Sequence, residues 1–441
     1  MAAAPRLLLG SMRNESSSMK VLVIGSGGRE HALCSAIRRS SRVSDVVCAP
    51  GNGGIAQAAR CVAANQKDLD DLLRVLAEEK PDLTVVGPEL PLALGFVDAA
   101  QQRGYRVFGP TQEAAQLETS KAHAKRFMQR HGIPTANYAV CESRIEAQKS
   151  LEMFKLPVVI KADGLAAGKG VLICEQKQQA DQAIADLFSG QLLGSAEKTV
   201  VIEEHLTGEE LSFLVLSDGR HAAALVPAQD HKRIGEGDTG PNTGGMGAYS
   251  TDTMLDPAMQ SWILERIAQK TIDGMAAEET PFAGVLYCGL MMTATGPHVL
   301  EYNARFGDPE TQAILPRMES DLVEALEASV EGRLSEAEFR WKPGASACVV
   351  AASEGYPGSY ETGKAISGLE EAARVPGVEV FHAGTALVNG EFRTTGGRVL
   401  GVSATGATLE SALGSAYEAL SRISFEGMVY RRDIARRALK S

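Results

Sequence analysis

The sequence has no excess of positive charge, no closely spaced cysteine pair and no apolar run long enough to cross a membrane. Its 441 residues include 44 Lys plus Arg against 55 Asp plus Glu, a formal charge of −11 at pH 7. This balance excludes the broad basic surface by which proteins generally hold nucleic acid. Seven cysteines lie far apart without a CxxC pair, so neither a zinc site nor a disulfide framework is predicted. We therefore expect a cytoplasmic protein with no nucleic-acid partner and no membrane partner.

Residues 1–18 differ in composition from the rest of the chain. They contain three consecutive leucines, too short an apolar run for a secretory signal, together with two arginines and several serines. This composition weakly resembles a transit peptide, and a true start at Met19 is the alternative because the globular pattern begins at Lys20. We interpret residues 1–18 as a disordered extension.

Three regions with different patterns follow this extension. Over residues 19–120 apolar strands alternate with helices, which predicts a doubly wound parallel α/β domain. Residues 121–340 carry shorter strands and predict an α+β domain. Residues 341–441 have short strands before a closing helix and predict a small C-terminal α+β domain. In the first domain we expect ligands at the carboxyl ends of the strands.

The turn after the first strand, Gly25-Ser26-Gly27-Gly28-Arg29-Glu30, opens a helix. Backbone N–H groups in such a turn can face a phosphate. A nicotinamide site would need a third glycine where Glu30 stands and an acidic residue after the second strand, which instead ends Cys48-Ala49-Pro50. The turn therefore favours a phosphorylated small substrate, with a purely structural turn and a dinucleotide site as the alternatives.

The segment from Lys161 to Gly170, KADGLAAGKG, resembles a P-loop but departs from it in two ways. Its glycines are one residue too close together, and Gly170 stands where a magnesium-binding Ser or Thr is needed. What remains is a glycine loop between two predicted strands, with Lys169 at its tip. Such a loop can close over a triphosphate and bring backbone donors and charge to its oxygens. A solvated hairpin is the alternative.

A pair of oxygen-bearing side chains ends the predicted strand PHVLEYNARF. Residues i and i+2 of a strand point to the same face, so Glu301 and Asn303 present hard oxygen ligands side by side. This arrangement suits Mg²⁺ held together with nucleotide phosphates. Arg305 and the turn that follows it add a cation suited to an anionic group, and a structural salt-bridge turn is the alternative.

The segment from Gly235 to Gly247 is rich in glycine, with six glycines in thirteen residues. Ordering so much glycine is entropically costly, so such a segment is typical of a backbone that approaches a ligand closely. The alternative is a disordered linker. The segment lies between predicted core strands and a helix, which favours the ligand-binding interpretation.

Together these segments closely resemble the glycinamide ribonucleotide synthetase family, ATP-grasp ligases of purine biosynthesis. The resemblance runs from Met19 to about Arg437. The motifs that carry it are VLVIGSGGREHAL, APGN, VVGPE, SKAHAKRFM, IKADGLAAGKGV, EEHLTGEELS, AQDHKR, GPNTGGMGAYS, LEYNARFGDPETQ and TGGRVLGV.

The resemblance implies an ATP-grasp core over residues 121–340, with ATP as co-substrate and Mg²⁺ or Mn²⁺ held by Glu301 and Asn303. Two lysines would contact phosphate oxygens under the glycine loop, residues 203–206 would form the adenine-binding hinge, and Glu210 would hold the ribose. The implied ATP-binding residues are Lys121, Lys161, Gly164, Gly168, Lys169, Gly170, Glu203, Glu204, Leu206 and Glu210.

The family reaction makes glycyl phosphate from glycine and ATP, and the amine of 5-phosphoribosylamine then attacks the acyl carbon. Positioning and charge neutralisation would carry most of the catalysis, with Lys161 and Arg305 as the implied catalytic residues. His31, His205 and His231 are interpreted as binding or packing residues. The implied substrate-binding residues are Gly25, Gly27, Gly28, Arg29, Glu30, Asn52, Gly53, Glu89, Asp230, Asn242, Thr243, Gly244, Gly245, Met246, Gly247, Arg305, Asp308 and Pro309.

Three rival functions stay open at the level of sequence. Another purine-pathway ATP-grasp enzyme, such as a formate-using transformylase or an aminoimidazole ribonucleotide carboxylase subunit, would share the lysines and the Glu-x-Asn pair. The segments GPNTGGMGAY and RFGDPE favour the glycine ligase. The other rivals are an NAD-dependent dehydrogenase and a non-catalytic nucleotide-binding module. We expect a monomer that acts on small molecules.

Overall fold

The structure, a computed structural model, describes residues 18–165 and 170–439. The predicted phosphate contacts at Gly168 and Lys169, and residues 1–17 of the predicted extension, lie outside the described residues. Within the described part of the chain, no helix is long and apolar enough to cross a membrane.

Strands and helices alternate along the chain, with strands in the majority after residue 130. In chain order, the strands are β1 (Met19–Gly25), β2 (Val43–Pro50), β3 (Arg60–Cys61), β4 (Leu83–Val86), β5 (Val107–Phe108), β6 (Tyr138–Cys141), β7 (Val158–Ala162), β8 (Val171–Cys174), β9 (Val200–Glu204), β10 (Glu209–Asp218), β11 (Ala222–Ala224), β12 (Gln229–Asp230), β13 (Arg233–Gly235), β14 (Thr239–Asn242), β15 (Gly247–Thr251), β16 (Ala283–Thr293), β17 (Gly296–Asn303), β18 (Ala345–Ser353), β19 (Val378–His382), β20 (Thr385–Val388), β21 (Glu391–Thr394), β22 (Arg398–Gly406) and β23 (Met428–Val429). The α-helices are α1 (Gly28–Arg38), α2 (Ile55–Ala58), α3 (Leu69–Glu79), α4 (Glu89–Ala93), α5 (Phe96–Gln101), α6 (Gln116–Thr119), α7 (Lys121–Arg130), α8 (Arg144–Leu151), α9 (Lys177–Ser189), α10 (Pro257–Ile263), α11 (Lys270–Ala277), α12 (Glu310–Ile314), α13 (Leu322–Val330), α14 (Leu369–Ala373) and α15 (Leu409–Arg422). A π-helical segment, Leu264–Gln269, joins α10 to α11, and 3-10 turns span Leu315–Arg317 and Leu334–Glu336.

The first sheet is parallel and has the strand order β3-β2-β1-β4-β5. Its central strand β1 is buried almost throughout, because the apolar run VLVI is covered on both faces. The helix α3 begins at Asp68, whose carboxylate accepts hydrogen bonds from the N–H groups of Asp70 and Asp71. The doubly wound N-terminal domain predicted from the sequence is confirmed.

The central region contains two four-stranded sheets. One has the order β6-β9-β7-β8, and its antiparallel β7–β8 pair consists of the two predicted strands at the ends of the glycine loop. The other has the order β11-β10-β16-β17, in which β16 and β17 pair antiparallel. One buried apolar cluster includes Leu22 and Ile24 of β1 together with Leu286 and Val299 of this second sheet. The turn after β17 also contacts the segments that follow β1 and β4, since Arg29 donates to the Phe306 oxygen at 3.0 Å and Glu89 lies 3.3 Å from Arg305.

The last sheet has six strands in the order β12-β15-β18-β22-β19, with β23 paired to β18. Two of them, β12 and β15, flank the glycine-rich segment 235–247 and come from the middle of the chain. The strand β15 pairs antiparallel with β18, which places Gly247 opposite Val349. The glycine-rich segment is thus anchored on the C-terminal sheet, a long-range pairing that the sequence pattern did not predict.

Candidate active site

Two buried lysines share one carboxylate at the base of the central region. The Glu203 Oε2 atom lies 2.9 Å from Lys125 Nζ and 3.0 Å from Lys161 Nζ. Lys161 also donates to the backbone oxygen of Leu300, next to Glu301, at 3.0 Å. Burial lowers the pKa of Lys125 to about 8, against the opposing effect of Glu203. Lys161 is therefore held rigidly between β7, β9 and β17.

Lys121 lies at the first position of α7, beside the start of the glycine loop. Its Nζ donates to the backbone oxygen of Gly164 at 2.8 Å. The side chain of Asp163 accepts hydrogen bonds from Ser120 Oγ and from the Ala122 N–H, both at 3.1 Å. Gly164 has a φ of +96°, a conformation that favours glycine. The base of the loop is thus tied to the N-terminus of α7.

Glu301 and Asn303 lie on the same face of β17, while Tyr302 between them is buried. Among the described residues, the Glu301 carboxylate has no ion-pair or hydrogen-bond partner. Burial acts to raise its pKa, but Lys232, Lys161 and Lys121 outweigh burial and hold the pKa below its ordinary value. The described chain contains no group of three His, Cys, Asp or Glu side chains that could hold a metal alone. An ionised Glu301 with the Asn303 oxygen fits a Mg²⁺ ion that takes its other ligands from phosphates.

The predicted hinge and ribose residues run from the end of β9 into the start of β10. Glu204 accepts a hydrogen bond from the Asn137 N–H at 2.9 Å, and Leu206 is half-buried in the connection between the strands. The Glu210 carboxylate is partly exposed and lies 3.1 Å from Lys232 Nζ.

An acidic cluster lies near Glu301, one of the two predicted metal ligands. Burial raises the pKa of Asp230 to about 7, with Lys232 opposing this shift and Glu310 adding to it. Glu310 accepts hydrogen bonds from Tyr287 at 2.5 Å and from Ser212 at 3.1 Å. Lys232 thus adds a positive charge that acts on both Asp230 and Glu210.

Arg305 lies where the strand β17 meets the N-terminal domain. Its side chain is close to two carboxylates, 3.0 Å from Glu118 and 3.3 Å from Glu89, and it donates to Asn303 Oδ1 at 3.0 Å. Burial acts to lower the pKa of Arg305, but these carboxylates outweigh it, so the guanidinium stays charged. The predicted substrate residues Glu89 and Arg305 are therefore brought into direct contact.

The predicted phosphate turn is organised around the side chain of Glu30. Its Oε2 accepts the N–H of Gly27 at 2.6 Å, and its Oε1 accepts from Arg29 Nε at 2.6 Å. A Cβ at Gly25 or Gly87 would lie within 2.3 Å of the Glu30 side chain. The N–H of Gly27, which the sequence suggested would face a phosphate, is thus already paired, and Glu30 and Arg29 are buried parts of the turn.

Asn52 and Gly53 lie against the C-terminal domain. The Asn52 side chain donates to the backbone oxygens of Ser26 and His382, both at 2.8 Å, and accepts the N–H groups of Gly54 and Ile55. Gly53 approaches the β20–β21 hairpin so closely that a Cβ would lie 2.7 Å from the Leu387 nitrogen. The side chain of Asn52 is therefore fully occupied in joining the two domains.

The end of the glycine-rich segment packs on the turn at Asp308 and Pro309. Gly245 has a φ of +116°, and a Cβ there would lie 2.4 Å from Pro309 Cδ. Arg398 from the C-terminal sheet donates to the backbone oxygens of Gly244 and Asp308, both at 2.8 Å. The side chain of Met246 is fully buried, its N–H donates to the His231 oxygen at 2.8 Å and its oxygen accepts the Val350 N–H at 3.0 Å.

Several residues beside the predicted site were not singled out from the sequence. The motifs SKAHAKRFM, AQDHKR and TGGRVLGV contained three of them, but no local pattern distinguishes these side chains from surface cations. Glu118 is buried and its carboxylate accepts the Ala304 N–H at 2.7 Å, a contact across 186 positions of the chain. These residues are Glu118, Lys125, Lys232 and Arg398.

Three family profiles match the chain in succession. The profile described as phosphoribosylglycinamide synthetase, N domain, matches residues 19–118. The ATP-grasp (A) domain profile of the same family matches residues 119–311, and the C domain profile matches residues 346–437.

The chain is similar to curated proteins over nearly its full length. It is 50% identical over 426 residues to a phosphoribosylamine–glycine ligase of Xanthomonas axonopodis pv. citri, covering 96% of this chain and 98% of that protein. It is 49% identical to the phosphoribosylamine–glycine ligase of Chlorobaculum tepidum, covering 96% of this chain and 100% of that protein.

Solved structures show the same fold. The crystal structure of phosphoribosylamine–glycine ligase from Thermotoga maritima superposes with a TM-score of 0.83 at 36% identity, covering 94% of this chain and 99% of that chain. The biotin carboxylase domain of the Hydrogenobacter thermophilus 2-oxoglutarate carboxylase has a TM-score of 0.70 at 17% identity, covering 93% of this chain and 91% of that chain. The second likeness is one of fold alone.

Proposed function

This chain belongs to the phosphoribosylglycinamide synthetase family, and we infer that it is an ADP-forming phosphoribosylamine–glycine ligase whose reaction takes place between Glu301 and Arg305. The enzyme uses ATP to join glycine to 5-phosphoribosylamine in purine biosynthesis. ADP, phosphate and glycinamide ribonucleotide are the products.

The observation that carries the placement of ATP is the convergence of lysines on Glu301. Lys161 is fixed by Glu203 and by the Leu300 oxygen, and Lys121 reaches the base of the glycine loop. Two lysines held rigidly beside a carboxylate that has no other partner among the described residues form a preorganised site for a triphosphate and its metal. The adenine and ribose then extend towards residues 203–206 and Glu210.

We place Mg²⁺ or Mn²⁺ on Glu301 and Asn303. When bound, the ion neutralises charge on the phosphate oxygens. The protein's own contribution is to keep Glu301 ionised by means of the surrounding lysines and to orient Asn303 through its hydrogen bond from Arg305.

The reaction has two steps that share one crevice. In the first, a glycine carboxylate oxygen bonds to the γ-phosphorus of ATP while the bond to ADP breaks, giving glycyl phosphate. In the second, the substrate amine bonds to the acyl carbon, and phosphate leaves while the amine loses a proton. Lys161 would neutralise the transferring phosphoryl group and Arg305 would hold the glycine carboxylate.

The phosphoribosylamine would lie between the N-terminal turn, Asp230 and the glycine-rich segment. The contacts of Glu30 and Asn52 suggest that these two side chains shape the crevice while neighbouring backbone groups contact the substrate. We further propose three domains with the bounds predicted from the sequence. We also propose that the protein is a cytoplasmic monomer without nucleic-acid partners.

The test is to incubate the protein with ATP, Mg²⁺, glycine and freshly generated phosphoribosylamine and to follow ADP release. Turnover should require both glycine and the amine, and glycinamide ribonucleotide should form in equal amount to ADP. Replacing glycine by formate or bicarbonate should stop the reaction. ADP release that ignores glycine, or that proceeds with either replacement, would assign the chain to another ligase reaction.

A further inference from the structure

Residues 431–437, near the C-terminal end of the described chain, bind the tip of the glycine-rich segment, residues 236–238. We propose that Arg431 is a positioning residue for the ligase reaction, because it fixes the β13–β14 hairpin and through it Lys232 and the backbone of residues 242–247. The proposal rests on the proposed role of this segment in holding the substrate amine.

Arg431 makes the central contacts between these two segments. Its side chain is only 2% exposed, and it forms a two-pronged pair with Asp433, with N–O distances of 2.8 and 2.9 Å. Its NH1 donates to Asp238 Oδ1 at 2.9 Å and to the Arg233 backbone oxygen at 3.1 Å. One guanidinium therefore binds both the tip and the first strand of the hairpin.

Three further contacts join the same two segments. The Gly237 N–H donates to Asp433 at 2.7 Å, and the Arg432 N–H donates to Glu236 at 3.2 Å. Arg437 pairs with Asp238, whose φ of +56° is unusual for a residue other than glycine. The tip is thus held in a strained turn by charged groups from a distant part of the sequence.

Short contacts connect the β13–β14 hairpin to Thr243 and Lys232. Arg233 is paired with Asn242 across the β13–β14 hairpin. The next residue, Thr243, holds the backbone oxygen of Lys232 with its N–H at 2.7 Å and with its hydroxyl at 2.8 Å. A shift of the hairpin therefore moves the Lys232 main chain and the start of the 242–247 segment together.

A lysine cannot replace this arginine, because the bond to Asp433, the bond to Asp238 and the bond to the Arg233 oxygen need the fixed planar fork of a guanidinium. The partners named above, Asp433, Asp238 and the Arg233 oxygen, are not among the predicted ATP-binding residues. The effect of Arg431 on the reaction is therefore expected to fall mainly on the substrate amine, and on the nucleotide only through Lys232, which pairs with Glu210.

The experiment compares Arg431→Met, Arg431→Lys and Asp238→Asn with Arg340→Met, which removes a guanidinium from an exposed pair with Glu338. We expect Arg431→Met to raise KM for phosphoribosylamine about 10-fold or more, since small misplacements of positioning groups have effects of this size. KM for ATP should change less than KM for phosphoribosylamine, because the substitution removes no direct nucleotide contact. Arg431→Lys should not restore the wild-type value, and Asp238→Asn should shift KM in the same direction from the other side of the contact.

Hydrogen exchange measured on peptides covering residues 233–247 supplies an independent readout. Exchange there should be about 10-fold faster in Arg431→Met, because the hairpin opens locally, while peptides of β10 and β16 stay unchanged. Equal changes across all peptides and both KM values would show a general loss of stability and overturn the proposal. Unchanged exchange and unchanged KM in both Arg431→Met and Asp238→Asn would also overturn it.

Asn242→Ala separates this proposal from the proposed function of the segment. If Asn242→Ala raises KM for the amine but the Arg431 variants do not, the segment binds substrate and the proposed positioning role of Arg431 is wrong. If the Arg431 variants loosen the hairpin while amine KM is unchanged in them and in Asn242→Ala, the segment lies outside the substrate site. In that case the proposed substrate site in this segment is wrong, and the role of Arg431 in the reaction, which depends on that site, is wrong with it.

Discussion

Lys161 and Glu203 form an ion pair of 3.0 Å whose side chains are only 6% and 2% exposed. The same carboxylate pairs with Lys125 at 2.9 Å, so two buried positive charges depend on one negative charge. This triad links α7, β7 and β9 beneath the proposed phosphate site.

Glu203→Gln should destabilise the protein strongly. Removing the shared carboxylate leaves two buried ammonium groups without compensation, at a cost of about 3–5 kcal/mol in the free energy of unfolding at pH 7. The loss should shrink as the pH rises towards 8 and then stay constant, because the pKa of Lys125, about 8 with Glu203 present, falls further once the opposing effect of Glu203 is removed. Urea unfolding at pH 7 and pH 9 measures both effects. Glu142→Gln breaks an exposed pair of 3.8 Å with Arg126 and should leave the unfolding free energy unchanged.

Glu301→Ala should leave folding intact and abolish turnover. The carboxylate is one of two proposed metal ligands, and losing a preorganised charge of this kind lowers kcat by about 100-fold or more. Thermal unfolding and steady-state rates over a series of Mg²⁺ concentrations test this. Glu338→Ala, at an exposed position, is the control. Normal activity of Glu301→Ala at ordinary Mg²⁺ would show that another residue binds the ion.

Gly53→Ala should weaken the contact between the N-terminal and C-terminal domains. A Cβ would lie 2.7 Å from the Leu387 nitrogen and 2.8 Å from the Ala386 carbonyl carbon, and overpacking of this kind costs about 1–3 kcal/mol. Gly414→Ala is the matched control, since its Cβ would meet no atom within 4 Å in the helix α15. That substitution should stabilise the protein by about 0.5–1 kcal/mol. Equal effects of the two substitutions on the urea midpoint would contradict the close approach at Gly53.

Stability should fall as the pH drops below 6.5, in part because of His31. Burial, helped by the neighbouring His382, lowers the pKa of His31 from 6.5 to about 3. The unfolded chain therefore binds a proton first, and this contribution to stability is complete above pH 6.5 and is lost progressively down to about pH 3. One such proton contributes a slope of up to about 1.4 kcal/mol per pH unit.

His31→Asn tests this contribution, because an amide oxygen can accept the His382 N–H that His31 Nδ1 accepts at 2.8 Å. The variant should show a shallower decline of unfolding free energy between pH 6.5 and pH 4. A wild-type slope in His31→Asn would mean that other groups cause the acid sensitivity.

Local patterns were enough to predict several of the strands around the site. The apolar run of β1, the two strands at the ends of the glycine loop and the strand β17 each follow from the spacing of side chains within one segment. The same-face position of Glu301 and Asn303 also follows from strand geometry alone.

The hydrogen-bond and ion-pair partners of individual polar side chains could not be predicted from local patterns. Glu30 and Asn52 have the sequence signature of ligand contacts, yet their polar atoms are paired with the protein itself. Glu203 is a predicted residue of the adenine hinge, and the sequence did not show that its carboxylate balances two lysines. Each partner is chosen by the packing of segments that are distant in sequence, as with Asn52 and His382, 330 positions apart.

The sequence by itself determined the family, the parallel N-terminal sheet, the central glycine loop and the Glu-x-Asn pair, because turn chemistry, strand periodicity and motif spacing are local properties. Only the tertiary structure decided that β12 and β15 join the C-terminal sheet, and that Arg431 and Arg398 reach the glycine-rich segment from the last domain. Those contacts depend on how separate segments pack, and the hydrogen bonds of a buried charge are set by whichever donors and acceptors that packing brings within reach.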